Sequence, residues 1–513
     1  MKGIFARASK SAYAKNPVLG CLVFATVSAW ILISFFRLRG ELPGSGGAAS
    51  HQQQQQQQAP SIRTSTNTNE INRINEFAQH LIDYPIQWPY RNRFGEMGSR
   101  LRLVREWIEL ADAAAAAATS DEEKVGAEVL RNTTERVLGH TFPFLLTYTN
   151  WWAPFADLRQ RFTGKQKQGI VIPTGTRTFR FACHLVVSLR KVLDSKLPIQ
   201  IVYAGDFDLP PEQREEIASL SKDGDITFMD ILTVFEDKTL KLGTGGWAIK
   251  AFAALAAPFE EVILLDADTV FLQKPEMLLQ QRAYAEKGAL LFHDRLLWQH
   301  AFQDRHRWWH AQIKFPSLEL NKSLVWTQEY AEEADSGVVV LNKSRLDVLL
   351  GLLHTAWQNT EPVREETTYK LTYGDKESWW LGLELAGSQY AFEKHYAGIV
   401  GWMHENGTTS KKKDDGKKRV CSFVIAHVDE EDKLIWYNGG LAKNKMTMPD
   451  VFEVPTHWMI DADWEKGAAK EDMSCIAGGK AIPLTKEESA ILAKSMKLAE
   501  EVDSSLALID KSR

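Results

Sequence analysis

Apolar residues recur along this chain in three different rhythms. From 18 to 36 there are nineteen consecutive residues without an ionisable side chain except Cys21, a run that spans roughly 28 Å as a helix and so matches a bilayer core of about 30 Å. Residues 40–70 are polar and carry seven consecutive glutamines, 52–58, a composition that buries no core. Apolar positions then return at spacings of three and four: Ile71, Ile74, Phe77 and Leu81, followed by Leu101, Val104, Ile108 and Ala111. That periodicity predicts amphipathic helices between 71 and about 165. The alanines at 113–118 favour helix but are too uniform to specify packing.

Beyond residue 165 the rhythm changes to short apolar runs alternating with helical patterns. Strands are predicted at 169–172, 199–203, 225–231, 262–265, 288–292 and 338–341, with helical segments at 181–193, 211–220, 247–257 and 346–357. Alternation of this kind implies an α/β domain built on a mostly parallel, doubly wound sheet. The strand at 262–265 has four large apolar residues and reads as buried on both faces. It runs directly into Asp266-Ala267-Asp268, at the strand end where open α/β sheets bind ligands. Two carboxylates spaced by two on an extended chain face one side and can share a hard cation. A solvated turn also accommodates such a pair, but two ionised groups capping a buried strand need cations or donors around them.

Charge and composition change this picture mainly at the amino terminus. Lys2, Arg7, Lys10 and Lys15 precede the apolar run and Arg37, Arg39 and Glu41 follow it, an asymmetry that keeps residues 1–16 cytosolic and sends the rest across the membrane. The run is longer than a usual signal-peptide core and no small-x-small cleavage site follows. The expected organisation is a cytosolic tail 1–16, a transmembrane signal anchor 17–36, a disordered stem 37–70, a helical preface 71–165, and a catalytic domain with a C-terminal extension at 166–513. A formal net charge of −5 gives no sign of nucleic-acid binding. Cys183, Cys421 and Cys475 lie outside the apolar run, so one internal disulfide is the maximum. Cys421–Cys475 is expected, leaving Cys183 as a buried thiol. Asn132, Asn321, Asn342 and Asn406 begin glycosylation sequons, and the basic run 411–419 reads as a solvated insertion.

Other residues stand out by context. Lys250 is the one charge in an apolar helical segment that Pro258 closes. Trp298, Trp308 and Trp309 are either platforms for sugar rings or core material. Asp335-Ser336-Gly337 opens a strand, and Tyr373-Gly374-Asp375-Lys376-Glu377 opens a helix, where the carboxylates also suit the helix dipole. His427 ends the apolar strand within 422–429.

The Asp-Ala-Asp element resembles the Asp-x-Asp signature of GT-A glycosyltransferases. The stretches 179–205, 247–272 and 334–340 resemble, in order and character, the fungal α-1,3-mannosyltransferase family, glycosyltransferase family 71, over roughly 165–445. This resemblance implies a GT-A-like domain in which Asp266 and Asp268 hold a divalent cation, usually Mn2+, against the diphosphate of GDP-mannose. It implies His427 as a third metal ligand, with His404 as second choice. It puts Thr174 and Arg177 near the donor nucleotide, although they read equally as turn and helix-start residues. Asp335, Ser336 and Gly337 would lie under the transferred sugar. Lys250 would reach the donor side, unless it snorkels to the surface, and Asp375 and Glu377 would bond sugar hydroxyls. Anchor, stem and catalytic domain are the usual build of a Golgi type II enzyme, so partners would be the nucleotide-sugar, a mannose-ended glycan on glycoproteins, and other enzymes of a Golgi complex. The implied reaction retains configuration with α-1,3 or α-1,2 linkage. A nucleotide-sugar pyrophosphatase and a non-catalytic glycan-binding relative are the rival readings.

Overall fold

The spacing of three and four at the start of the described chain folds into α1 (Thr68–Asp83), α2 (Phe94–Ala117) and α3 (Asp121–Thr141). The computed structural model describes residues 68–146, 150–222, 224–404 and 416–512. The expected tail and anchor, the stem up to residue 67, the sequon at Asn406 and the start of the basic run 411–419 therefore lie outside the described residues, while 68–70, expected as the end of the stem, open α1. Among the described residues no helix is long and apolar enough to cross a membrane. Ser120 and Glu123 form a reciprocal capping box that starts α3. Phe94 of α2 packs edge-on against Trp308 and Trp357, both with centroids at 4.9 Å. Gly98 lies so close to Leu385 that a Cβ there would sit 2.3 Å from its carbonyl oxygen. The preface thus shares one hydrophobic core with the residues behind it.

The main sheet contains β1 (Gln166–Pro173), β2 (Ile199–Tyr203), β3 (Ile226–Asp230), β4 (Phe259–Leu265), β6 (Ala289–His293), β7 (Ala334–Asn342) and β8 (Ala391–Phe392), while β5 (Thr269–Phe271) branches off after β4. Its order is β3-β2-β1-β4-β7-β6-β8. The flanking helices are α4 (Phe179–Lys191), α5 (Ile249–Ala256), α6 (Leu346–Gln358), α7 (Lys376–Ala386) and the C-terminal α8 (Lys486–Ser512). Alternate strand residues face opposite sides. Val262, Leu264, Val339 and Leu341 join the core under α2, α5, α6 and α7. Ile263, Leu265, Val338 and Val340 join a second core with α4. A sheet covered on both faces explains the uninterrupted apolar runs. α8 docks on α4 through Arg180 and His184, both paired with Asp503 at 2.6–2.9 Å.

β7 departs from the parallel expectation: it pairs antiparallel with both β4 and β6. Residues 294–333 do not return the chain along the sheet between β6 and β7, so β7 runs back from the edge where β6 ended. The consequence is functional. The first residues of β7 lie at the same sheet edge as the last residues of β4, where Leu265 pairs with Val338.

The C-terminal part adds β9 (Ile399–His404), β10 (Arg419–Ser422), β11 (Ile425–Val428) and β12 (Leu434–Asn438). β12 lies between β11 and β5, bringing residues 425–440 against the turn after β4. Cys421 and Cys475 are disulfide-bonded and Cys183 is a buried free thiol, as expected from the sequence.

His395, between β8 and β9, lies 2.8 Å from Asp461 through Nδ1 and 2.9 Å from Asp432 through Nε2. An imidazole can donate from both ring nitrogens only when protonated. Burial lowers its pKa, but the two aspartates outweigh this and raise it, with Glu393 adding to them. A raised folded value means that His395 stabilises the fold fully below its unfolded pKa near 6.5, and that this contribution fades as pH rises through the folded value. His395→Gln should therefore lower the melting temperature most below pH 6 and least above pH 8. A difference that is independent of pH would exclude the charged form.

Candidate active site

β4 delivers its two carboxylates into a turn fixed from three sides. Asp266 N–H donates to Gly337 O at 2.8 Å, Thr269 Oγ1 donates to Asp266 O at 2.9 Å, and Asp268 O accepts from Gly440 N–H at 2.7 Å. Gly337 has to be glycine for the approach: a Cβ there would lie 2.6 Å from Asn438 Nδ2 and 3.0 Å from the Trp436 ring. The turn is thus a product of β4, β7 and the loop after β12, and Asp266 and Asp268 are both half-buried at its surface.

Lys250 does not snorkel. It is buried in α5, with Nζ 2.8 Å from Asp266 Oδ1 and 3.2 Å from Asp375 Oδ2. The same ammonium donates to Ser336 O at 2.7 Å and to Ser336 Oγ at 3.0 Å. Burial would lower its pKa, but Asp266 and Asp375 outweigh it and hold the ammonium charged. Lys250 therefore links four of the expected site residues, itself included. Asp375, just before α7, is itself fixed by Trp379 Nε1–H, which donates to Oδ2 at 2.7 Å.

Asp335 and His427 form the neighbouring unit. His427 Nε2 lies 3.0 Å from Asp335 Oδ2, and Asp335 Oδ1 accepts from Gly337 N–H at 3.0 Å and from Asn438 Nδ2 at 3.1 Å. Burial pushes the Asp335 carboxyl up, yet the His427 bond, the Lys376 charge and the Gly337 N–H prevail and hold it below the usual range. The His427 ring stacks on Trp436 at 4.1 Å and meets Phe292 edge-on at 5.2 Å.

The expected third ligand, His427, meets Asp335 here and not Asp266 or Asp268. Among the described residues no three His, Cys, Asp or Glu side chains converge as a metal cage, and the Nε2 of His427 is engaged by Asp335. His404 ends β9 opposite Arg419. Asp266 and Asp268 alone do fit a hard cation. Lys250 pairs with Oδ1 of Asp266 and Lys445 with Oδ2 of Asp268, so each carboxylate has a second oxygen with which it could take a hard cation, and burial pushes the Asp266 carboxyl up to about 6 against the Lys250 charge.

Other expected residues are held elsewhere. Glu377 is fully buried and both its oxygens are taken by the chain's own donors: Glu333 N–H at 3.0 Å and Ala334 N–H at 3.3 Å on Oε1, Trp380 Nε1–H at 2.6 Å on Oε2. Burial raises its pKa to about 8, and it anchors the start of β7 instead of facing a sugar. Thr174 bonds Thr178, the residue that caps α4, at 2.7 Å, and Arg177 is exposed; both lie in the turn between β1 and α4, outside the ion cluster around Lys250. Trp308 and Trp309 are core residues, and of that trio only Trp298 is exposed.

Two cations escaped the sequence reading. Lys445 Nζ pairs with Asp268 Oδ2, and Lys376 Nζ pairs with Asp294 Oδ2 and feels the Asp335 charge. Lys445 follows Gly439-Gly440 in no recognisable motif, and its partner lies 177 residues away. Lys376 was visible only as a charge between Asp375 and Glu377.

The segment that carries these residues is similar to known proteins. The family described as "Mannosyltransferase putative" matches residues 167–429, which include Lys250, Asp266, Asp268, Asp335 and Asp375 but not Lys445. The alpha-1,3-mannosyltransferase MNT3 of Saccharomyces cerevisiae is 30% identical over 284 residues, covering 49% of this chain and 43% of that protein. The alpha-1,3-mannosyltransferase MNN1 of the same organism is 24% identical over 364 residues, covering 62% and 45%. The chain thus spans less than half the length of these curated relatives. Among solved structures, the X-ray structure of the mannosyltransferase Ktr4p from Saccharomyces cerevisiae aligns over 45% of this chain and 69% of that one, at 10% identity and a TM-score of 0.31.

Proposed function

The chain belongs to the mannosyltransferase family whose model it matches, that of the fungal α-1,3-mannosyltransferases, and on that premise we propose that it transfers mannose from GDP-mannose to a mannose-ended glycan of glycoproteins, in α-1,3 linkage. The observation that carries the proposal is the buried Lys250 bridging Asp266 and Asp375, with Asp268 beside them at the carboxyl end of β4. Carboxylates gathered around one buried cation at the carboxyl edge of an α/β sheet are the kind of perturbed charge cluster that marks a ligand site.

Asp266 and Asp268 would hold a divalent cation such as Mn2+, which supplies charge neutralisation at the departing diphosphate. Lys250 fixes the rotamer of Asp266 and keeps Ser336 O and Oγ turned inward. The Asp335–His427 pair and Asn438 hold the start of β7 against the turn. Asp335 accepts from the chain's own donors at both oxygens, and Asp375 is held at Oδ2 by Trp379 and Lys250, so neither is assigned as a nucleophile. A front-face reaction with retention needs none, because the leaving phosphate oxygen can accept the acceptor hydroxyl's proton.

The apolar run at 18–36, the positive charges before it and the polar stretch that follows support reading a signal anchor and stem, and with them a Golgi type II setting with a luminal catalytic domain within reach of a Golgi enzyme complex. Incubating the full-length protein with a panel of nucleotide-sugars, mannosides and Mn2+ tests the reading. Transfer from GDP-mannose with an α-1,3-linked product is expected. An α-1,2 product corrects the linkage, release of free sugar phosphate alone indicates a pyrophosphatase, and no transfer from any donor overturns the proposal.

A further inference from the structure

Two exposed aromatic rings meet beside the Lys250 ion cluster. Trp247 lies one helical turn before Lys250 and Tyr373 two residues before Asp375, so the Lys250–Asp375 ion pair at 3.2 Å joins the two segments that carry them. Trp247 is 48% and Tyr373 63% exposed, and their ring centroids are 5.4 Å apart at an interplanar angle of 49°. Tyr369 backs Trp247 edge-on at 6.4 Å, with its hydroxyl held by Asn359 at 3.0 Å.

This pair is built into the fold. Gly374 has a φ of +66°, and a Cβ there would meet the Trp247 ring at 2.8 Å, so glycine serves both the turn and the ring's seat. Arg364 ties the segment before Trp247 to the other half: its guanidinium donates to Leu240 O at 2.7 Å, to Lys241 O at 3.2 Å and to Asn359 O at 2.9 Å. Arg364–Thr368 is a π-helical turn, a feature frequent at functional sites.

We propose that Trp247 and Tyr373 form the subsite for a hexopyranose ring of the acceptor glycan, held by its apolar C–H face. Aromatic rings with one polar end suit a ligand that is apolar on one face and wet on its rim. With centroids 5.4 Å apart the two rings touch, so their exposed outer faces form one angled apolar surface on which the C–H face of a pyranose can lie. This inference rests on the transferase reading and supplies the acceptor platform that the buried Trp308 and Trp309 cannot.

The test uses the purified full-length protein. Trp247→Ala and Tyr373→Ala should each raise the acceptor KM ~10-fold, while the KM for GDP-mannose stays within about twofold and the melting temperature matches wild type. Trp247→Phe should recover most of the loss. In saturation-transfer NMR, methyl α-mannoside and an α-linked mannobiose should receive magnetisation at their C–H face from wild type and not from the alanine variants. Unchanged acceptor KM in both alanine variants overturns the subsite, and so does a rise confined to the donor KM. If no nucleotide-sugar is a donor, the transferase reading fails and the NMR arm decides alone. Mannoside signals that appear with wild type and vanish in both variants keep the subsite; signals absent with wild type, or surviving both substitutions, remove it.

Discussion

Asp268→Asn should reduce mannosyl transfer by at least about 10³-fold while leaving the melting temperature within a degree or two of wild type. The backbone of Asp268 is held by Gly439 and Gly440 N–H groups, bonds that an amide side chain leaves untouched, and an asparagine carbonyl still accepts from Lys445. What disappears is a full negative charge facing a hard cation. A metal's electrostatic contribution to leaving-group departure is several kcal/mol, and each 1.36 kcal/mol is tenfold in rate. Transfer assays across a manganese series, with calorimetry on the same preparations, give both readouts. Near-normal rates at ordinary manganese concentrations would remove the cation role from this pair. The Lys445 ion pair sharpens the test: if wild type works in excess chelator and Lys445→Ala does not, the lysine is the counter-charge in place of a metal.

Lys250→Met is expected to abolish transfer and to cost about 3–5 kcal/mol of stability, the usual penalty for removing one partner of a buried ion pair. Methionine matches most of the length of the side chain but leaves Asp266 and Asp375 without their shared cation and Ser336 O without its donor. Denaturant titration should show a lower midpoint with an unchanged slope, since the surface exposed on unfolding is the same. Adding Asp375→Asn should restore part of the stability, because one uncompensated charge disappears and the amide oxygen still accepts from Trp379. Activity should not return. A single variant as stable as wild type would mean that the triad is open to water, contrary to its burial.

Part of this site was written in the sequence and part was not, and the division follows contact range. The run 262–265 announces a strand buried on both faces because consecutive large apolar side chains fit no half-exposed element, and the carboxylates that end it announce an edge where cationic partners must gather. Lys250 was conspicuous as one charge in an apolar helix. Its partners were not, since Asp375 comes from another helix and Ser336 from a strand whose antiparallel direction no local pattern encodes. His427 shows the same limit: an apolar strand ending in histidine is legible, but whether the imidazole meets a metal or Asp335 depends on how β11, paired with β12, is set against the start of β7. Lys445 was invisible because its mark is a partner 177 residues away. The aromatics were sorted entirely by packing. Trp308 is buried because Phe94 of the preface lies on it at 4.9 Å, whereas Trp247 has Gly374 and the edge of Tyr369 behind it and keeps its outer face open. Periodicity and local chemistry determine which residues form an element and which are out of place in it, since those depend on neighbours three or four positions away. Pairing of charges and exposure of rings depend on neighbours brought together by the closed fold, and only the tertiary structure decides them.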